Sequence, residues 1–185
     1  MATMNREAAL EMLEAHLKTR NLVKHCLACE AVLAALARRL GEDEETWRLA
    51  GLLHDVDYDE TAGSPQAHGL ASARLLEQAG LDSQIVHAVL AHADKAPRES
   101  LLDRALWCVD PLTGLIVAAA LIRPERKLCV VDTEFVVHRF KERSFARGAS
   151  REQIQACEQE LGLSLEGFVA IGLKAMQEIS DELGL

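Results

Sequence analysis

Apolar positions recur along the chain at intervals of three and four residues, the period that lines them along one face of a helix. A first helix is predicted over about residues 5–18 and a second over about 21–40. Asn21 can cap the second and Gly41 can stop it. Leu22, Cys26, Cys29, Val32, Leu33, Leu36 and Leu40 give this helix an apolar face. A third helix starts near Asp43 and ends around His54 and Asp55, and residues 56–63 are acidic and turn-like. Ser64 followed by Pro65 reads as a cap and a first-turn proline, predicting a fourth helix that ends near Ala79 before Gly80. Asp82 caps a fifth helix to His92, and a loop containing Pro97 follows. A long apolar helix is predicted over about 100–121, broken by Arg123 and Pro124. Three more follow over about 132–145, 150–161 and 164–183. Residues 128–131 could pass locally for a strand, but they are short and have no obvious partner. There is no internal repeat and no dividing linker. The expectation is an all-α, single-domain helical bundle of about nine helices, with a core over about 20–122 and a C-terminal helical extension over about 123–185.

Composition fits this reading. Of 185 residues, 49% are apolar, enough for a sizeable core without disulfides. The five cysteines are odd in number and their spacing suggests no disulfide framework. Residues 1–20 are charged and amphipathic rather than leader-like, and the longest apolar run, residues 112–122, contains Thr113 and Gly114 and is short of a membrane span. A cytoplasmic protein with reduced thiols and no membrane partner is expected. The C-terminal helix carries Leu165, Phe168, Ile171, Leu173 and Met176, which can cover the protein's own core or a second subunit in a homo-oligomer. The net charge is −9, from 20 basic and 29 acidic side chains, so a nucleic-acid duplex is a poor partner. An acidic protein that binds phosphate needs a local cation, and a metal ion can supply it.

Seven histidines carry the chemical information. His25 lies in the apolar stripe of the second helix, where a buried imidazole needs either a hydrogen-bond partner or a metal. His54 and Asp55 follow Leu52 and Leu53; taken alone they read better as an ordinary solvated helix end than as metal ligands. Asp110 falls on or beside the apolar face of the long helix, where an ionised carboxylate must be paired or bound to a metal. Pro111 after it leaves a second reading, in which Asp110 caps a new helix. His68 follows Pro65 by three residues, and His92 ends its helix beside Asp94 and Lys95; either could be a surface histidine. His87 lies on a different face from His92, and His92 is preferred as a site residue because helix ends more often border pockets. His16 and His138 read as solvated.

His25, then His54 with Asp55, then Asp110, in this order on a helical scaffold, resembles the HD superfamily of metal-dependent phosphohydrolases. The stretches LLHDVDY, HGLASARLLEQAG, VDPLTGLIVAAALIRP and RFKERSFARG look like those of a family of small bacterial HD-domain hydrolases. The resemblance implies metal ligation by His25, His54, Asp55 and Asp110. It also implies a second ion in dinuclear members, for which His68 and His92 are the matching candidates, with Asp55 bridging. The run His54, Asp55, Val56, Asp57 departs from the His-Asp-Ile-Gly of one subgroup. The Gly-Tyr-Pro signature of cyclic-dinucleotide phosphodiesterases is absent.

The chemistry that follows is hydrolysis of a phosphomonoester or phosphodiester of a small phosphorylated molecule, a nucleotide among the candidates, by a metal-activated water. Imidazole and carboxylate donors suit one or two divalent ions, with Mn, Fe, Co, Ni and Zn not distinguished and Mg also admitted. Asp55 is the candidate for receiving the proton of the nucleophilic water. Lys95 is the candidate for neutralising developing charge, and Lys95 with Arg98 for holding phosphate oxygens. The cluster Arg139, Lys141, Arg143 and Arg147 reads as a solvated face, and Asp57 and Asp59 as acids that either orient a ligand or belong to the loop. Cys26 and Cys29 form a Cys-x-x-Cys inside a helix, where packing is the better reading. Two other functions stay open: a dinuclear-iron oxygenase of the same fold, and a catalytically silent ligand-binding regulator.

Overall fold

The computed structural model describes residues 4–185. Among them the regular secondary structure is all helical, with no strand. In order the helices are α1 (Arg6–His16), α2 (Arg20–Leu40), α3 (Glu44–Leu53), α4 (Tyr58–Thr61), α5 (Leu70–Gln78) and α6 (Ser83–His92). There follow α7 (Leu101–Leu121), a 3₁₀ turn (Leu128–Val130), α8 (Thr133–Lys141), α9 (Arg151–Gln155), α10 (Cys157–Glu160), α11 (Leu165–Glu178) and α12 (Ser180–Leu183). α4, α10 and α12 are single turns of four residues, too short to register as a periodic pattern.

Local side chains explain most helix starts. Asn5, Asp43, Asp82, Asp132, Ser150 and Ser164 each accept a backbone N–H from the first turn they precede. Ser100 and Asp103 form a reciprocal capping box at α7. Two starts differ from the sequence expectation. α2 begins at Arg20, so Asn21 lies inside it; its entry is anchored by the Asp59 carboxylate, which accepts from the Lys18 and Thr19 N–H groups and the Thr19 hydroxyl. α5 begins at Leu70 and not after Pro65. Residues 64–69 turn, and Gly69 adopts φ 78°. The Asp57 carboxylate then accepts from both the Gly69 and Ser72 N–H groups, so the cap comes from a residue more than ten positions upstream.

The long helix also resolves the alternative for Asp110. α7 runs unbroken through Pro111, so Asp110 lies mid-helix and caps nothing. Proline lacks the N–H that would bond the carbonyl four residues earlier. That carbonyl belongs to Trp107, and the Gln153 side-chain amide donates to it at 3.3 Å. Residues 128–131 are a 3₁₀ turn rather than a strand, the helix expected over 132–145 ends at Lys141, and the last two expected helices each break in two.

α7 is the central element, packed against α2, α6, α8, α9 and α11. By length and composition it could cross a membrane; here 61% of its apolar stretch is buried within the fold. α11 covers α2, α7 and α8 with Leu165, Phe168, Leu173 and Met176, so this face closes the protein's own core. α2 and α3 approach most intimately at Gly51, where a Cβ would sit 2.8 Å from the Cys29 carbonyl carbon and oxygen and the Glu30 nitrogen. Buried Glu30 adds a polar tie, accepting from Arg6 at 2.5 and 3.0 Å and from Arg48 at 3.4 Å. This close pairing brings the middle of α2 beside the last turn of α3.

Candidate metal centre

Four elements and one turn converge on Asp55. α2 supplies His25, the end of α3 supplies His54 and Asp55, the turn before α5 supplies His68, the last residue of α6 is His92, and α7 supplies Asp110. Gly69 lets the turn come in close: a Cβ there would lie 2.6 Å from the Ala93 Cβ just beyond His92. The six candidate ligand residues, which lie up to 85 positions apart, thus meet in one place.

Each imidazole is held by its Nδ1. His54 Nδ1 donates to the Gly51 carbonyl at 2.8 Å, and His92 Nδ1 to the Val89 carbonyl at 2.5 Å. His68 Nδ1 donates to Asp57 at 2.9 Å. His25 Nδ1 lies 3.0 Å from the Thr113 hydroxyl, whose own proton goes to the Asp110 carbonyl at 2.9 Å, so His25 is the donor. This assigns one tautomer to all four rings and turns every Nε2 lone pair inward.

The inward atoms form two sides. Asp55 Oδ2 stands 3.5 Å from His54 Nε2 and 3.7 Å from His25 Nε2. Asp55 Oδ1 stands 3.4 Å from both His68 Nε2 and His92 Nε2. Asp110 Oδ1 joins the first side, 3.0 Å from His25 Nε2. His25 and His54 face each other Nε2 to Nε2 at 3.3 Å.

A metal fits this donor set. With Nδ1–H committed to Val89, the buried His92 Nε2 has no hydrogen-bond partner and confronts a carboxylate oxygen, lone pair to lone pair. The facing Nε2 atoms of His25 and His54, 3.3 Å apart, need a proton or a metal cation between them. Unsatisfied buried acceptors at this spacing are unfavourable unless a cation lies among them. His54, Asp55 and His92 offer ligand atoms all within 4.8 Å of one another, as do His25, Cys29 and His54.

The titration behaviour follows from the same crowding. Burial pulls the His54 imidazole down to about 4. Burial also pulls on His92, but the adjacent Asp55 carboxylate outweighs it and the net shift is upward. His25 is likewise lowered by burial yet raised well above the usual imidazole range by Cys29 and Asp110 beside it. Burial alone would raise Asp55 and Asp110; the surrounding imidazoles, His54 foremost for Asp55 and His25 for Asp110, hold both below the ordinary carboxylate range.

The remaining candidates are placed as follows. The stem of Lys95 lies 3.7 Å from where a Gly69 Cβ would be, and its ammonium donates to the Pro65 carbonyl at 3.2 Å. Arg98 is committed to Asp94 at 2.8 Å and stacks over Trp107 at 4.0 Å. Lys95 and Arg98 line a cleft of about 600 Å³ that includes none of the six cluster residues. The cluster itself opens through a cavity of about 350 Å³ lined by His25 and Asp110. Asp57 proves to be the orienting acid for His68, and Asp59 an anchor for α2. Thr113 was visible in the sequence only as part of an apolar stripe; its spacing of three from Asp110 was the one available signal for its role. Cys26 and Cys29 are free and buried.

Comparison with known proteins gives a consistent set. The family described as HD domain matches residues 22–134, which contains all six residues of the cluster. Among curated proteins, Ribonuclease Y of Cutibacterium acnes is 29% identical over 137 residues, covering 72% of this chain and 25% of its own length. Ribonuclease Y of Pelobacter propionicus is 33% identical over 100 residues, covering 52% of this chain and 18% of its own. Ribonuclease Y of Oleidesulfovibrio alaskensis is 29% identical over 96 residues, with coverages of 52% and 18%. The chain therefore spans a quarter or less of the length of these relatives. No solved structure matches.

Proposed function

The chain belongs to the HD-domain family, and from that membership we propose that it is a metal-dependent phosphohydrolase acting on a small phosphorylated molecule. The observation that carries the proposal is the two-sided geometry of Asp55, with one oxygen facing His25 and His54 and the other facing His68 and His92. On this reading His25, His54, Asp110 and Asp55 would hold one divalent ion, and His68 and His92, with Asp55, would hold a second. Such ions, when bound, lower the pKa of water and polarise phosphoryl oxygens.

The protein's own groups do the rest. The four Nδ1 hydrogen bonds fix the rings in advance, so binding needs little reorganisation. Asp55, kept ionised by its neighbours, is the proton acceptor for the attacking water. Lys95, whose stem lies against Gly69 next to His68, swings from the Pro65 carbonyl to neutralise developing charge. Arg98 would first have to leave Asp94 and Trp107, so it ranks behind Lys95 as a phosphate ligand.

The relatives' name, Ribonuclease Y, points to phosphodiester substrates for those longer proteins. In this chain the net charge of −9 favours a small phosphoester over a nucleic-acid strand. The reading is tested by incubating the metal-loaded protein with a panel of nucleotides and other phosphoesters and measuring phosphate and nucleoside release. Metal-dependent turnover that Asp55→Ala abolishes is expected; inactivity across the panel with metal bound contradicts it. The paired geometry would equally hold two irons, so oxygen consumption by the iron-loaded protein is the outcome that would favour the oxygenase reading.

A further inference from the structure

A second cavity adjoins the mouth of the cluster. It measures about 490 Å³ and runs between α2 and α7, walled on its third side by residues 183–185. His25 and Gly114 line both this groove and the 350 Å³ cavity in front of Asp110, so the two adjoin at these residues. The groove is lined chiefly by aliphatic groups, among them Ala28, Val117, Leu121 and Leu183. On α7 the positions Asp110, Gly114, Val117 and Leu121 follow helical spacing along one face, so the carboxylate of the cluster leads directly into an apolar stripe. From Gly114 to Leu121 that stripe is about 10 Å long, at 1.5 Å per residue. Its far end stays open: Leu121 is 41% exposed, unusual for a leucine on the core helix.

Gly114 is the informative residue. Apart from proline, glycine is the least favourable residue in a helix interior. Gly51 has a packing reason, but a Cβ on Gly114 would meet no atom within 4 Å, and its backbone is not in the left-handed region. Neither close approach nor conformation requires glycine there. What a side chain at this position would do is occupy the junction between the two cavities.

We propose that the groove between α2 and α7 binds an elongated apolar group of the phosphorylated substrate, and that Gly114 keeps the passage from the metal centre into it open. The inference deepens the phosphohydrolase reading and rests on it: the phosphoryl end sits at Asp55 and Asp110, and an alkyl or similar chain extends past Gly114 over Val117 toward Leu121. Lys24, tied to the Leu183 carbonyl at 2.6 Å, holds the third wall in place.

The test compares methylphosphonate with octylphosphonate, whose chain can span the groove, by calorimetric titration of the metal-loaded protein. Each fully buried methylene contributes about a fourfold gain in affinity, at roughly 0.8 kcal/mol per CH₂; in an open-sided groove the whole chain should give at least about tenfold. Gly114→Leu should erase this gain while leaving metal content as in the wild type and the melting temperature unchanged or raised. Val117→Asp, one turn further along, should also remove the octyl preference without affecting methylphosphonate. Methylphosphonate binding with no octyl gain, or an octyl gain that survives both substitutions, overturns the groove proposal while leaving the hydrolase reading intact. Failure of the metal-loaded protein to bind either phosphonate overturns both.

Discussion

At the scale of single residues, the site depends on atoms outside the set that would touch a metal. Each ring is fixed through Nδ1, and three of the four partners are a backbone carbonyl or a hydroxyl. His68 alone relies on a carboxylate, Asp57. Burial opposes ionisation of Asp57, but His68 and the Ser72 N–H outweigh it and hold its pKa below the usual range. Asp57→Asn should therefore weaken the His68 and His92 side selectively. We expect one of two metal equivalents to lose about 10- to 100-fold in affinity, measured by chelator competition, and the other to be unchanged. Equal affinity for both equivalents in wild type and variant would contradict this role. Of these residues, the six ligand candidates were legible in the sequence through their order and its resemblance to the HD superfamily, since taken alone His54 with Asp55 fits a solvated helix end and His68 and His92 fit surface positions. For Asp57 the sequence left ligand orientation as one of two readings, and for Thr113 it gave no role, since each acts across a tertiary contact that no spacing encodes: Asp57 reaches a turn eleven residues on, and Thr113 reaches His25 from another helix.

At the scale of elements, the fold was readable wherever a helix carries its own cap and a long apolar stripe. α1, α3, α6 and α7 begin within a residue or so of where Asn5, Asp43, Asp82 and Ser100 place them. The start of α5 was misread because Ser64 and Pro65 give a strong local signal, whereas the actual cap is Asp57. α7 could have been cut at Pro111; it continues because Gln153 on α9 satisfies the carbonyl the proline leaves free. The pairing of α2 with α3 matters most for function, since it sets His25 beside His54. Gly51→Ala would push a Cβ to 2.8 Å from backbone atoms of Cys29 and Glu30, which cannot swing aside. We expect a loss of about 1–3 kcal/mol in urea unfolding, the usual range for overpacking, together with weakened metal binding. Gly63→Ala, where a Cβ meets nothing within 4 Å, should cost little and serves as the control. A neutral Gly51→Ala would mean that the two helices are not locked at this contact.

At the scale of the whole molecule, one apolar helix at the centre carries an acidic residue for the cluster and, one turn later, the glycine that opens the adjoining groove. Six donors from distant segments are gathered there, and the protein's excess negative charge makes a resident cation the natural counterpart for a phosphorylated substrate. The central claim is that these donors hold metal, with Asp55 between two ions. It is tested most directly by counting metal, by mass spectrometry, in the protein saturated with manganese or iron and freed of excess, beside Asp55→Ala. The account predicts about two equivalents in the wild type and their loss in Asp55→Ala, with helical circular dichroism unchanged. A wild-type protein that takes up none, or an Asp55→Ala variant that keeps both, would contradict it.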